Sequence, residues 1–135
     1  MTTATSSGAD FTTAVVQSKP WGHETIFATG GQGYVGKLIT VDAGQALSLQ
    51  YHREKDETIC IVSGEATLEH GPSVELLRSV TMRTGDVAHL PPGTLHRLTA
   101  VSDVVFAETS SAGPGWREDV VRLADRYGRD GTCAP

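Results

Sequence analysis

Two stretches of the 135-residue sequence place metal-binding side chains at regular spacing from glycines. In the first stretch an amide, an imidazole and a carboxylate lie between two glycines, and in the second an imidazole follows a Pro-x-Gly turn. An amide oxygen, a carboxylate and two imidazoles are ligand types that a divalent metal ion accepts in proteins. The four candidate metal ligands are Gln50, His52, Glu57 and His96.

The spacing of these ligands favours β-structure. Side chains alternate faces along a strand, so Gln50 and His52 share one face, and Glu57 follows after a short turn. Glu54 would be a substitute ligand if the first strand stays regular that far. A metal ion held by the four ligands would keep one or two open coordination positions. It could then polarise a carbonyl or hydroxyl group of a substrate, or activate a bound water.

Short strands must position these ligands. Eight apolar segments are separated by Gly, Pro or charged turns, at the spacing of roughly 8–12 residues that is typical of sandwiches and barrels. The predicted strands are 34–41, 46–51, 58–62, 65–70, 79–82, 87–90, 96–100 and 104–108. We therefore predict an all-β fold with a closed or nearly closed double-sheet jelly-roll barrel over residues 34–108.

The pattern changes after the last predicted strand. Apolar residues between Trp116 and Tyr127 recur at i, i+4, i+7 and i+8, which predicts one short amphipathic C-terminal helix. Glu118 and Asp119 suit the positive end of a helix, and Arg126 suits its negative end. This helix would pack on the barrel or on a second subunit.

Composition limits the remaining options. The length suits one domain, and we expect a disordered leader over 1–12, a single domain over 13–130 and a tail over 131–135. A net charge of −5 without a basic cluster argues against nucleic-acid binding, and no apolar run is long enough to span a membrane.

The first residues lack the features of a signal peptide, and Cys60 and Cys133 are predicted to be free thiols. We expect a cytoplasmic protein.

Both stretches resemble the paired metal-binding motifs of the cupin superfamily. The resemblance implies a cupin-like double-stranded β-helix that holds one metal ion. Gln50 stands where the family usually has its first His, and Ala100 stands where the second motif would close with Asn. The amide favours zinc, a Lewis-acid metal, while iron, manganese, nickel and cobalt accept similar ligands.

A narrower resemblance covers residues 19–129. The segments KPWGHE (19–24), LSLQYH (47–52), LPPGTLH (90–96), EDVVR (118–122) and DRYGR (125–129) are similar to those of type II phosphomannose isomerases. This resemblance implies isomerisation between mannose 6-phosphate and its ketose through an enediol. The family's His-His-Arg-Ala after His52 is replaced by Arg-Glu-Lys-Asp, which places Lys55 at the position of the catalytic Arg and loses bidentate recognition.

Three cations are candidates for phosphate recognition or proton transfer: Lys37, Lys55 and Arg53. Lys37 and Leu38 are adjacent in a predicted strand, so their side chains face opposite sides of the sheet. Lys37 therefore points either into the barrel or to solvent at a sheet edge. Three further histidines are interpreted as structural: His23, His70 and His89.

Two other functions stay open from the sequence. One is a metal-dependent oxygenase, decarboxylase or lyase acting on a small carboxylate, because fold does not fix function. The other is a non-catalytic sugar-binding cupin, favoured if the altered turn has removed the catalytic base.

Surplus apolar residues near both ends predict a twofold homodimer. These residues are Phe11, Val15, Val16, Trp21 and the apolar members of the segment 116–127.

Overall fold

The structure, a computed structural model, describes residues 8–133. Residues 1–7 of the expected leader and residues 134–135 of the expected tail lie outside the described residues. Residues 8–14 form no helix or strand, and their side chains are exposed.

Eleven strands occupy most of the described part of the chain. They are β1 (Val15–Lys19), β2 (Gly22–Thr29), β3 (Tyr34–Val41), β4 (Leu49–His52), β5 (Glu57–Ser63), β6 (Glu65–Gly71), β7 (Arg78–Arg83), β8 (Val87–Leu90), β9 (Leu95–Ala100), β10 (Val104–Ser111) and β11 (Val120–Ala124). Two single-turn 3₁₀ helices, Val74–Leu76 and Trp116–Glu118, complete the regular structure of residues 8–133.

The strands form two antiparallel sheets that pack face to face. One sheet has the order β1-β2-β3-β10-β5-β8 and the other has the order β11-β4-β9-β6-β7. Among the described strands the two ladders are not joined into a closed barrel, and the fold is an open-edged jelly roll. The predicted all-β jelly roll is therefore confirmed.

Alternation along the strands builds the core between the sheets. In β5, Ile59 and Ile61 are buried while their neighbours face outward, and in β10 Val104 and Phe106 follow the same rule. Trp21, at 2% exposure, belongs to this core. This apolar packing fixes the positions of the strands that carry the candidate metal ligands.

The eight predicted strands are all present, with shifted bounds in several cases. The largest shifts are three residues: β4 begins at Leu49, whereas Ala46 makes only an isolated bridge to Thr99, and β10 extends to Ser111. Strands β1 and β2 were not predicted. In β2 the inward positions include Glu24, which is buried, so the alternation of apolar and polar residues does not mark a core face.

The predicted C-terminal helix is wrong. Only Trp116–Glu118 form a 3₁₀ turn, and the next residues become β11, which pairs with β4. The apolar spacing suits both structures, but β11 buries Val120 and Arg122 and leaves Leu123 exposed. Pairing with β11 gives the backbone N–H and C=O groups along the edge of β4 hydrogen-bond partners. This stabilisation outweighs the weak tendency of a short isolated helix to form.

Gly64 is required where β5 turns into β6. Its φ is 88°, and a Cβ at this position would collide with the backbone oxygen of Asp103. Gly44 also has a positive φ, 80°, but open space surrounds the position of its missing Cβ.

Cys60 and Cys133 are free thiols, as predicted. Within residues 8–133, no helix has the length and apolar character needed to cross a bilayer.

Candidate metal centre and its cavity

Three of the candidate ligands form one buried cluster between the two sheets. His52 ends β4, His96 lies in the adjacent strand β9, and Glu57 begins β5 in the opposite sheet. Glu57 Oε1 lies 3.0 Å from His96 Nε2 and 3.6 Å from His52 Nε2. One ligand atom from each residue lies within 4.8 Å of the others, which is close enough to share a metal ion.

Backbone carbonyls fix the orientation of both imidazoles. His52 Nδ1 donates to the backbone oxygen of Asp119 at 2.9 Å, and His96 Nδ1 donates to that of Thr94 at 3.0 Å. Because a carbonyl only accepts hydrogen bonds, each Nδ1 carries a proton and each Nε2 faces Glu57. A metal-binding histidine usually has this outer hydrogen bond. The donor set therefore fits a divalent metal ion.

Burial and neighbouring charges act in opposite directions on the ionisable groups of the cluster. Burial disfavours the ionised form of Glu57, but hydrogen bonds from His52 and His96 and the charge of Lys55 hold its pKa well below the usual range. Burial also disfavours the imidazolium of His96, but the hydrogen bond and charge of Glu57 raise its pKa. A metal ion would bind the unprotonated Nε2 of His96, so metal binding would compete with a proton at this atom.

Gln50 lies beside the cluster, with its amide turned the wrong way for a ligand. Its Oε1 accepts a hydrogen bond from Ser48 Oγ at 2.6 Å, and its Nε2 lies 3.5 Å from His52 Nε2. A half-turn of the amide would bring Oε1 towards the cluster and leave Nε2 to donate to Ser48. Gln50 is also the cross-strand partner of His96, so the sheet itself brings it to the site.

A cavity adjoins the cluster. Gln50 and His52 line it, and so do two of the cations proposed for catalysis, Lys37 and Lys55. Lys37 points inward, where its Nζ lies 3.0 Å from Glu24 Oε1. The inward alternative for Lys37 is therefore the one that the structure shows.

Lys55 is buried between two carboxylates. Its Nζ lies 3.1 Å from Glu108 Oε2 and 3.5 Å from Glu57 Oε2. Burial by itself would lower the pKa of Lys55, but the charges of Glu108 and Glu57 raise it. Lys55 thus links the candidate metal ligand Glu57 to the cavity wall.

The structure does not bring Arg53 to the cavity. Its side chain is exposed and does not belong to the cavity lining, so it does not group with Lys37 and Lys55 there. Glu54, the substitute ligand, is also exposed and lies outside the ligand cluster. The strand ends at His52, and the following turn directs both side chains outward.

Asp119 stabilises this turn, a role that the sequence did not reveal. Its carboxylate accepts backbone N–H groups from Arg53, Glu54 and Lys55 at 3.0, 2.9 and 2.8 Å. Burial would raise the pKa of Asp119, but these three donors lower it below the usual value. The predicted helix concealed this contact, because it assigned Asp119 to a helix terminus.

Other cavity residues were missed as well, most of them because β1, β2 and β11 were not predicted as strands. They are Lys19, Glu24, Glu108, Arg117, Arg122 and Arg129. Arg122 lies two residues after Val120, so predicting this segment as a strand would have placed both side chains on one face. The histidines interpreted as structural, His23, His70 and His89, belong to no metal-ligating cluster of the described residues.

Residues 9–125 match the family described as mannose-6-phosphate isomerase, C-terminal. The chain belongs to this family, and the resemblance seen in its motifs is confirmed at that level.

Three relatives match most of this chain over a small part of their own length. The xanthan biosynthesis protein XanB of Xanthomonas campestris is 34% identical over 114 residues, which cover 82% of this chain and 23% of XanB. The mannose-1-phosphate guanylyltransferase of Escherichia coli K12 is 33% identical over 114 residues, covering 82% of this chain and 22% of the relative. The alginate biosynthesis protein AlgA of Pseudomonas aeruginosa is 32% identical over 113 residues, with coverage of 82% and 22%. The chain spans less than a quarter of the length of these relatives.

Solved structures share the fold. The capsular polysaccharide assembling protein CapF of Staphylococcus aureus aligns with a TM-score of 0.71 at 18% identity, over 85% of this chain and 33% of CapF. Oxalate decarboxylase of Bacillus subtilis, which has Mn(II) centres, aligns with a TM-score of 0.67 at 22% identity, over 81% of this chain and 30% of the enzyme.

Proposed function

We propose that this member of the mannose-6-phosphate isomerase C-terminal family is a metal-dependent isomerase that interconverts an aldose phosphate and a ketose phosphate of the mannose 6-phosphate type. The observation that carries the proposal is the His52, Glu57 and His96 cluster, which adjoins a cavity with lysines in its wall. The family match supports the choice of substrate class.

The metal would be held by Gln50, His52, Glu57 and His96, with zinc the preferred ion. Iron, manganese, nickel and cobalt accept the same nitrogen and oxygen ligands. When bound, the metal supplies Lewis acidity that polarises the carbonyl and hydroxyl oxygens at carbons 1 and 2 of the sugar.

The proton transfer falls to residues of the cavity wall. Glu108 lines the cavity, and as a carboxylate it can take the proton from carbon 2, which leaves an enediolate with its negative charge on oxygen 1. The hydroxyl proton on oxygen 2 then moves to oxygen 1, and Glu108 returns its proton to carbon 1, which gives the ketose. Lys37 and Lys55 place positive charge beside the enediol and stabilise negative charge that develops on its oxygens.

The first experiment is an assay of mannose 6-phosphate and fructose 6-phosphate interconversion by the metal-loaded protein. The double variant His52→Ala, His96→Ala is expected to lose both the bound metal and the activity, measured by elemental analysis and turnover. His89→Ala is the matched control, because His89 is exposed and pairs with Asp56 away from the cluster. A wild-type protein that neither interconverts nor binds the two sugar phosphates would refute the proposal.

Substitution of Lys55 tests whether its charge contributes to turnover independently of metal coordination. Lys55→Ala is expected to lower turnover by about 10²-fold or more, because a positioned charged group contributes on this scale, while metal stays bound. The variant also leaves Glu57 and Glu108 without their shared cation, so its melting temperature is expected to fall. Arg53→Ala is the control and is expected to keep turnover, because Arg53 is exposed. Loss of activity in Arg53→Ala alone would contradict these roles.

Two alternatives have specific support. Two imidazoles and one carboxylate also suit redox-active iron, which favours an oxygenase, decarboxylase or lyase acting on a small carboxylate. The two ion pairs that immobilise Lys55 favour a non-catalytic sugar-binding protein. Metal identity in the purified protein, followed by turnover with zinc or iron bound, distinguishes the three functions.

A further inference from the structure

Positive charge is concentrated in the cavity. The chain has only three lysines, and all three line it, together with three of the eight arginines. Two carboxylates, Glu24 and Glu108, share the lining. This imbalance occurs in a chain whose net charge is −5. The six cations are Lys19, Lys37, Lys55, Arg117, Arg122 and Arg129.

Lys19 is half-buried and forms no ion pair with the described residues. Lys37 pairs with Glu24, Lys55 pairs with two glutamates, and Arg129 pairs with Asp125 at 3.1 Å. Among residues 8–133, no carboxylate lies within ion-pairing distance of the half-buried Lys19 ammonium. A partly buried charge without a partner is costly in the ligand-free protein.

The surroundings of Lys19 increase this cost. Burial lowers the pKa of Lys19, Glu24 opposes the effect, and the nearby cations Lys37, Arg129 and Arg122 lower the pKa further. Burial and the charge of Arg129 also lower the pKa of Arg122. These cations therefore repel one another across a shared space, and an anion between them would relieve the repulsion.

The topology explains why these cations meet. Lys19 ends β1, an edge strand of the six-stranded sheet, whereas Arg122 lies in β11, an edge strand of the five-stranded sheet. Both line the same cavity, so the two edges face each other across it. Arg122 is the cross-strand partner of Gln50, which places this cationic end next to the candidate metal centre.

We propose that Lys19, Arg122 and Arg129 form an anion subsite that binds the phosphate group of a phosphorylated sugar. The sugar part of this assignment rests on the proposed function, whereas the anion part rests on the charges of the cavity. Guanidinium groups suit phosphate because they present several N–H donors in a fixed plane, and Lys19 adds a point charge.

The test is calorimetric titration of the metal-loaded protein with inorganic phosphate and, separately, with mannose 6-phosphate. Lys19→Gln is expected to weaken binding of both by about tenfold or more, since hydrogen bonds to charged groups contribute on this scale. Lys19→Arg is expected to keep the affinity within about threefold, because it keeps the charge. Arg83→Gln, which removes one exposed positive charge outside the cavity, is the control and is expected to bind both ligands as the wild type does.

Melting temperature gives a second readout. Without ligand, Lys19→Gln is expected to melt no lower than the wild type, because Lys19 has no ion pair to lose. Added phosphate should raise the melting temperature of the wild type and of Arg83→Gln more than that of Lys19→Gln. A merely structural Lys19 would instead lower the melting temperature of the ligand-free variant, and this result would overturn the subsite.

The failures of the two proposals can be told apart. Phosphate binding that depends on Lys19, without isomerisation, supports the subsite and refutes the isomerase. Isomerisation with an unchanged KM in Lys19→Gln supports the isomerase and overturns the subsite. Absence of phosphate binding by the wild type overturns the subsite as well.

Discussion

The backbone oxygen of Asp119 lies 2.9 Å from Nδ1 of His52, while the carboxylate of the same residue accepts three backbone N–H groups from the turn that follows His52. One residue just before β11 therefore fixes both the imidazole at the end of β4 and the path of the chain towards Glu57. This contact couples the C-terminal segment to the candidate metal centre.

Asp119→Ala keeps the carbonyl that orients His52 but removes the carboxylate that holds the 53–55 turn, and it is expected to weaken metal binding by about tenfold. The physical reason is that the 53–55 turn loses its acceptor, so His52 and Glu57 are held less well. Calorimetric titration with zinc measures the change. Asp10→Ala, at an exposed position outside the strands, is the control. Equal zinc affinity in both variants would show that the turn does not need Asp119.

The Asp125–Arg129 pair predicts acid sensitivity of the C-terminal segment. Burial disfavours ionisation of Asp125, but hydrogen bonds and charge from Arg129 hold its pKa below the usual value. A pKa that is lower in the folded state adds stability above the unfolded pKa of about 3.9, and this stability is lost as pH falls through the lower folded pKa.

Asp125→Asn is therefore expected to destabilise the protein by about 1–3 kcal/mol near neutral pH, and by less at acid pH. Urea unfolding of both proteins at several pH values measures the difference. Asp130→Asn, at an exposed position nearby, should show little effect at any pH. A difference between Asp125→Asn and the wild type that stays constant down to strongly acid pH would contradict the role of the pair.

Gly64→Ala is expected to cost about 1–3 kcal/mol more than Gly44→Ala. Both glycines have positive φ, so both variants carry backbone strain, but only the Cβ at position 64 would collide with Asp103. The comparison of the two unfolding free energies isolates the collision. Equal losses would mean that the β5–β6 turn relaxes without cost.

We propose a homodimer that uses the edge strand β1 and the segment before it. Phe11 and Val16 are 92% and 63% exposed there, whereas Trp21, which was expected to contribute, is buried in the core. Light scattering at tens of micromolar protein should give twice the monomer mass.

The double variant Phe11→Ser, Val16→Ser should reduce this mass to that of a monomer. Val101→Ser is the control, because Val101 is 55% exposed but does not belong to the proposed interface. A monomeric wild type would contradict the proposal directly.

Strand positions were predictable from the sequence where apolar segments and the turn residues around them marked the same bounds. Strands β3 and β8 have the predicted bounds, because each is an apolar segment bounded by turn residues. Prediction failed at β11, where the spacing of Trp116, Val120 and Tyr127 is compatible with a helix. The open edge of β4 decides the structure there, and an open edge is not visible in the sequence.

The candidate metal ligands could be predicted from the sequence, but other residues of the site could not. The spacing of His52, Glu57 and His96 placed three residues that the structure brings together, because motif residues lie on or next to regular strands. Asp119 contacts residues far apart from it in the chain, and Lys19 lies in the wall of a cavity that distant segments enclose. Such contacts depend on which sheet edges face each other, so periodicity could not reveal them.

The pairing of β11 with β4 also has a consequence for the order of folding. Residues 15–111 contribute the other ten strands, so most of the sandwich can pack during synthesis before residues 116–124 emerge. Until those residues dock, His52 lacks the carbonyl that orients its ring, and the turn before Glu57 lacks its carboxylate. Competence to bind metal is therefore expected to arise late in biosynthesis, which protects a partly made chain from taking up an ion in an incomplete site.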